Sequence, residues 1–327
     1  MIRPFDWRDF PTLHRHRERG LCLDMALELT RSMTLVPVGA LLSYVAPATG
    51  IYTYVAAEDG AHNKVIGQFS HAQGSANAQL TFIAPSTSMS ASHTLALLDH
   101  LAQQAGKHGA SNLLAEVNER SIAFEILRKA GYAIYARQRI WRVTKPASPS
   151  PETAHWRPAT EQDTTALRQL YNAVVPALVQ QIEPAPWEQL TGMVCYQEDE
   201  LLGYVHLNSG PQGTLAQPIF HPNIEHVSEH LNELIYRLST RRTFPLYFVV
   251  RSHQAWLDLF LTEMGAEAGS YQAVMVKRLA ILQKASLQTT LPLRLPNPGL
   301  ETAKPEIPVV PFTSPLHLHA QTPLEEG

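Results

Sequence analysis

Few residues of this chain carry reaction chemistry in a recognisable spacing. Glu116 stands inside the apolar run Asn112 to Val117, a strand carboxylate and therefore a candidate base. The plainer reading is a strand carboxylate facing solvent or paired with an arginine. Ser88, Ser90, Ser92 and Thr94 place four hydroxyls on the approach to a helical pattern. A helix start carries partial positive charge, so these donors suit an anion, and one of them also serves as N-cap. His71 and His206 fall in strand regions, where a lone histidine is commonly structural. His14 with His16, and His317 with His319, are weak metal pairs without a cysteine or carboxylate set beside them, so no metal is expected. There is no G-x-x-x-x-G-K-[ST], H-E-x-x-H, C-x-x-C or G-x-S-x-G motif.

The elements that must position these groups come in two similar series. The first opens Ile2-Arg3-Pro4-Phe5, with Asp9 and a helical pattern beyond; the second opens Trp156-Arg157-Pro158-Ala159, with Asp163 and a helical pattern beyond. Each then has a strand with a glycine, Gly67 or Gly203, and an apolar strand ending in proline, at Pro85 or Pro222. An amphipathic helix follows, with Leu95, Leu98, Leu101 and Ala105 on one face, or Val227, Leu231, Leu234 and Leu238. A short apolar strand, a helix ending at Gly131 or Gly265, and a last strand complete each series. Glu58-Asp59-Gly60 and Ser209-Gly210 read as hairpin turns. The order predicts an α/β fold of two tandem domains, each a mixed central sheet flanked by helices. Their boundaries are 1–145 and 156–284, joined by a Pro-rich linker over 146–155. Residues 285–327 hold eight of the 24 prolines and no amphipathic period, and are expected to be a disordered tail.

Composition removes several classes of function. Of 327 residues, 26 are Lys or Arg and 29 are Asp or Glu, which gives a net charge of -3 and no electrostatic case for nucleic acid. The basic cluster Arg15, His16, Arg17 and Arg19 reads as a solvated helix face. Cys22 and Cys195 form neither a disulfide framework nor a zinc site, and a reducing, cytoplasmic location is expected. Ser32 to Ala57 is uncharged and long enough to span a bilayer. It is punctuated by Pro37, Gly39, Pro47 and Gly50 and alternates at 51–55, so buried strands are expected rather than a membrane span.

The run Leu113-Leu114-Ala115-Glu116-Val117-Asn118, followed by Ala123-Phe124-Glu125-Ile126-Leu127-Arg128-Lys129-Ala130-Gly131-Tyr132, resembles the GNAT superfamily of acyl-CoA-dependent N-acyltransferases. The resemblance covers about residues 1–145 well and 156–280 more weakly, which suggests a tandem, pseudo-dimeric member and a monomeric chain. It implies an N-acetyltransferase with acetyl-CoA as cofactor, bound in the first domain only, and a small-molecule or peptide amine as acceptor. The strand backbone at Phe82, Ile83 and Ala84 would pair with the pantetheine arm, and Asn118 would hold that arm or cap the next helix with Ser121. The pyrophosphate loop would fall on Ser88, Ser90, Ala91, Ser92, His93 and Thr94. By the same register Ser88 stands where the family has Arg or Gln, and Ala91 and His93 stand where it has glycine. In the second domain Glu225 takes the cation position, with Glu229 one turn on, which would repel a pyrophosphate. The tyrosine that serves many members as general acid is replaced by Leu127 and Leu261. Two functions therefore stand side by side: an N-acyltransferase acting through the first domain with Glu116 as base, and an inactive GNAT-fold pseudoenzyme kept as a binding or interaction module.

Overall fold

The repeated opening has a concrete purpose in the computed structural model. It describes residues 1–16, 19–31, 38–41, 49–57, 64–89, 92–144, 156–241 and 245–279. In each half a short strand, β1 (Ile2–Pro4) or β8 (Trp156–Pro158), carries an arginine that reaches a buried aspartate at the start of the first helix. Arg3 donates to both oxygens of Asp9 at 2.6 and 2.8 Å, and Arg157 to both oxygens of Asp163 at 2.7 and 2.5 Å. The same carboxylates accept from the backbone of Asp6 and Thr160, at 3.1 and 2.8 Å. The hydrogen bond from Arg157 is the main reason the Asp163 carboxyl is held well below its ordinary range. Replacing a charged hydrogen-bond partner in this position costs on the order of 2 kcal/mol. Asp163→Ala is therefore expected to lower the melting temperature by several degrees at pH 7. The deficit should shrink toward pH 3, where the carboxylate is lost in the unfolded chain. A scan at the two pH values measures it.

The rest of the first half runs α1 (Phe10–His16), β2 (Leu21–Cys22), α2 (Met25–Arg31), β3 (Ile51–Ala57), β4 (Lys64–His71), β5 (Asn77–Ala84), α3 (Ser92–Lys107), β6 (Asn112–Asn118), α4 (Ile122–Lys129) and β7 (Ala133–Val143). The second half runs α5 (Thr164–Val174), α6 (Ala177–Gln180), β9 (Gly192–Gln197), β10 (Glu200–Ser209), β11 (Thr214–Phe220), α7 (Val227–Arg241), β12 (Leu246–Arg251), α8 (Leu257–Glu263) and β13 (Glu267–Arg278). Helix α3 lies on β3 and β4, and Gly67 is what lets it come close. A Cβ there would stand 2.7 Å from the Leu101 side chain. The Ser209-Gly210 turn joins β10 to β11 as the sequence suggests. The turn at Glu58-Asp59-Gly60, the linker over 146–155, the tail over 285–327 and half of Ser32 to Ala57 lie outside the described residues. Of that run's described part, Ile51–Ala57 is strand β3 as expected, whereas 38–41 is helical and corrects the expectation of strands throughout. Among the described residues no helix is long and apolar enough to cross a membrane.

Among the described residues every strand joins one sheet, in the order β1-β3-β4-β5-β6-β13-β7-β12-β11-β10-β9-β8, with β2 beside β5. The last strand of each series has crossed into the other half. β13 lies between β6 and β7 and is antiparallel to both, with Met275 opposite Ala115 and Ala273 opposite Arg137. β7 continues to β12, with Trp141 opposite Phe248. Ala273 and Met275 thereby enter the core of the first half, and Trp141 and Val143 enter that of the second. Met1–Gln283 is accordingly one compact unit.

Candidate functional site

In each half two parallel strands pair at their beginnings and then part, leaving a notch at the middle of the sheet. In the first half β5 and β6 pair from Asn77–Asn112 to Gln79–Leu114. Beyond that point the edge of β5 faces a gap that the chain itself fills. Leu21 pairs with Ile83, and Cys22 with Phe82. Leu23 bridges both walls: its N–H donates to the Thr81 carbonyl at 3.0 Å, and its carbonyl accepts from the Glu116 N–H at 2.9 Å. The Gln79 carboxamide donates to the same carbonyl at 2.7 Å. Gly20 permits this approach, since a Cβ there would overlap the Phe82 ring at 1.9 Å. The segment is held from the second half too, where the Gln212 N–H donates to the Thr30 carbonyl at 2.9 Å.

The second half closes its notch differently. β11 and β12 pair from Thr214–Leu246 to Ala216–Phe248. Beyond, the Gln254 carboxamide takes both backbone groups of Phe220. It accepts from the N–H at 2.8 Å and donates to the carbonyl at 3.1 Å. Gln254 is buried, so this side-chain amide completes the strand edge much as a peptide would.

These contacts correct one expectation. Phe82 and Ile83 do not present free backbone, because β4 holds one edge and β2 the other. Ala84 pairs with Ile66 at the strand end. The hydroxyl run behaves as local structure: Thr94 is fully buried and donates to the Ser88 carbonyl at 2.7 Å, while Ser88 ends a short 3-10 turn. Ser92 opens α3 and His93 follows it, with a buried Nε2 that has no hydrogen-bond partner. Ser90 and Ala91 lie outside the described residues. The Asn118 side chain bonds to its neighbours and not to an N–H of α4. It accepts from the Arg120 N–H and donates to Ser270, both at 2.9 Å, and Ser121 caps α4. Leu127 and Leu261 are core residues. His71 is buried, with Nε2 2.8 Å from the Ser75 carbonyl.

Glu116 and His206 are the residues singled out in the sequence that the fold brings to one cavity. The cavity has a volume of about 800 Å³ and lies where the two series meet, lined by Glu116, Tyr135, Tyr171, Glu183, His206 and Arg251 among others. The Glu116 carboxylate accepts from the Met25 N–H at 2.8 Å, at the start of α2. Burial pushes its carboxyl up to about 7, against the opposing pull of Arg251. Arg251, at the end of β12, donates to Glu183 at 2.5 Å, and the Tyr135 hydroxyl donates to the same carboxylate oxygen at 3.0 Å. Burial raises the Tyr135 and Tyr171 phenols, Tyr171 to about 12, and lowers the His206 imidazole. Glu183, Arg251 and the two tyrosines went unnoticed in the sequence. The one signal available was Arg251 itself, a charge closing the apolar run Leu246 to Val250. Among the described residues no group of His, Cys, Asp and Glu could hold a metal ion.

No family model matches the sequence, and no curated protein matches it. Solved structures do match. A GCN5-related N-acetyltransferase from Sphaerobacter thermophilus is similar at a TM-score of 0.55 and 10% identity, covering 85% of this chain and 95% of that one. The glucosamine N-acetyltransferase region of a fungal multi-domain GH3 beta-N-acetylglucosaminidase is similar at 0.51 and 12%, covering 85% of this chain and 38% of that one. A tandem GNAT protein from the clavulanic acid biosynthesis pathway is similar at 0.48 and 15%, covering 85% of this chain and 98% of that one. The chain has the GNAT fold. Acetyl-CoA, which that fold implies, is not matched by the residues present. The strand edge for its pantetheine arm is taken in the first half by Leu21–Leu23 and in the second by Gln254.

Proposed function

We propose that this GNAT-fold chain is a small-molecule-binding protein that has given up acyl transfer, with its ligand in the central cavity. The observation that carries this reading is the double closure of the strand edges, by backbone at Phe82 and Ile83 and by the Gln254 carboxamide at Phe220. An acyl-CoA arm binds such an edge through its amides, so it competes with contacts that are already made inside the chain. The sequence adds to this. No glycine or cation stands at 85–94, Glu225 takes the cation position of the second half, and Leu127 and Leu261 have no proton to give.

Calorimetric titration of acetyl-CoA into the full chain tests the reading. No heat and no saturation up to about 1 mM, the level at which ~4 kcal/mol of binding would register, is the expected result. Micromolar binding at one site per chain would overturn it.

One observation favours the N-acyltransferase alternative. A carboxyl that titrates near 7 in a cavity has the proton affinity of a general base at neutral pH, and Glu116 is such a group. For that chemistry Leu21–Met25 would have to leave β5 and β6, and acetyl-CoA would then bind in the same titration.

A further inference from the structure

We infer that the central cavity takes a small zwitterion, its carboxylate on the unspent N–H groups of Arg251 and its ammonium against the carboxylates of Glu116 and Glu183. The inference rests on the binding-protein reading and deepens it by naming the ligand's chemistry.

Arg251 is the starting point. Its guanidinium has five N–H donors and no acceptor, so a buried arginine is satisfied only when most of them are used. The side chain is 7% exposed, and the bond it makes is from Nη2 to Glu183. Nε and Nη1 are buried and have no hydrogen-bond partner. Tyr171, on the same cavity, has a buried hydroxyl that is likewise unpartnered. Buried donors of this kind are rare in a finished protein, and in residues that line a cavity they suit an acceptor carried by a ligand.

Charge then selects the ligand. Arg251 and Glu183 neutralise one another, and Glu116 adds a further acidic group on the same wall. A phosphate dianion would meet two carboxylates. A simple amine would leave the Arg251 donors unspent, and an apolar molecule would leave every polar group in the lining unspent. A molecule with one carboxylate and one ammonium uses both, and the planar guanidinium suits a carboxylate's two oxygens. The volume of about 800 Å³ leaves room for a side chain beyond the charged ends, in the range usual for small-molecule sites.

The test uses the full chain and the twenty free L-amino acids, each presented separately up to about 10 mM in thermal melts and then by calorimetry. At least one is expected to raise the melting temperature and to bind saturably. Its carboxamide and its N-acetyl derivative, each lacking one charge, are expected to bind at least tenfold more weakly. Arg251→Met is expected to abolish binding. Should that variant fail to fold, the two blocked ligands on the unaltered chain still decide the matter. No binding by any free amino acid, or equal binding by the blocked forms, overturns the inference and leaves the binding-protein reading standing. Micromolar acetyl-CoA binding would overturn that reading instead.

Discussion

Expressed apart, residues 1–150 and 151–327 are expected not to fold, and expressed together they are expected to recover one soluble complex. The reason is the exchanged pair of strands. Fragment 1–150 keeps β6 and β7 but lacks β13, which lies between them over Asn112–Asn118 on one side and most of Ala133–Val143 on the other. Its two central edges would be open and hydrophobic, the situation that drives aggregation. Fragment 151–327 keeps β12 but lacks β7, which pairs with it from Leu246 to Arg251. Its core would lose Trp141 and Val143. Burial of a large aromatic side chain alone contributes about 2–3 kcal/mol, and each fragment forfeits a whole strand of such contacts. Circular dichroism and gel filtration of the separate and co-expressed fragments measure the effect. A monomeric 1–150 fragment with a cooperative melt would contradict the exchange.

The second large effect is a gain in stability from Glu116→Gln at alkaline pH. Burial raises the Glu116 carboxyl from its ordinary 4.5 to about 7 in the folded chain. Between those values the folded state holds the proton more tightly than the unfolded state, so stability falls as pH rises through that window and levels off above about 7. The loss across the window is about 3 kcal/mol, at ~1.4 kcal/mol for each unit of separation. Glutamine has the same shape, can still accept from the Met25 N–H, and carries no charge. The variant should match the parent near pH 4.5 and exceed it at pH 8 by roughly 5 °C in melting temperature. Melts at the two pH values read the difference directly. An equal shift at both, or none at pH 8, would show that the ionised form of Glu116 is not disfavoured in the folded chain.

The order of elements, the repeated series and the local devices were legible in the sequence because each depends on near neighbours. Arg3 with Asp9 and Arg157 with Asp163 are six residues apart, and the sequence pattern that repeats is the one that sets an arginine on each buried aspartate. The helix faces of α3 and α7 follow from spacing alone. Resemblance to the GNAT superfamily rested on the same short-range text, and it named the fold correctly.

Tertiary structure alone decided the rest. The apolar residues along β7 and β13 say that these strands are buried and nothing about which strand lies beside each, so the exchange left no mark in the pattern. The closing of the β5 edge by Leu21–Leu23 is made by backbone groups, which every residue possesses, and only the close fit of Gly20 against Phe82 betrays it. The cavity is assembled from Glu116, Tyr135, Glu183 and Arg251, which are far apart in the chain. Their chemistry comes from burial and mutual proximity, quantities that do not exist until the two halves share one sheet.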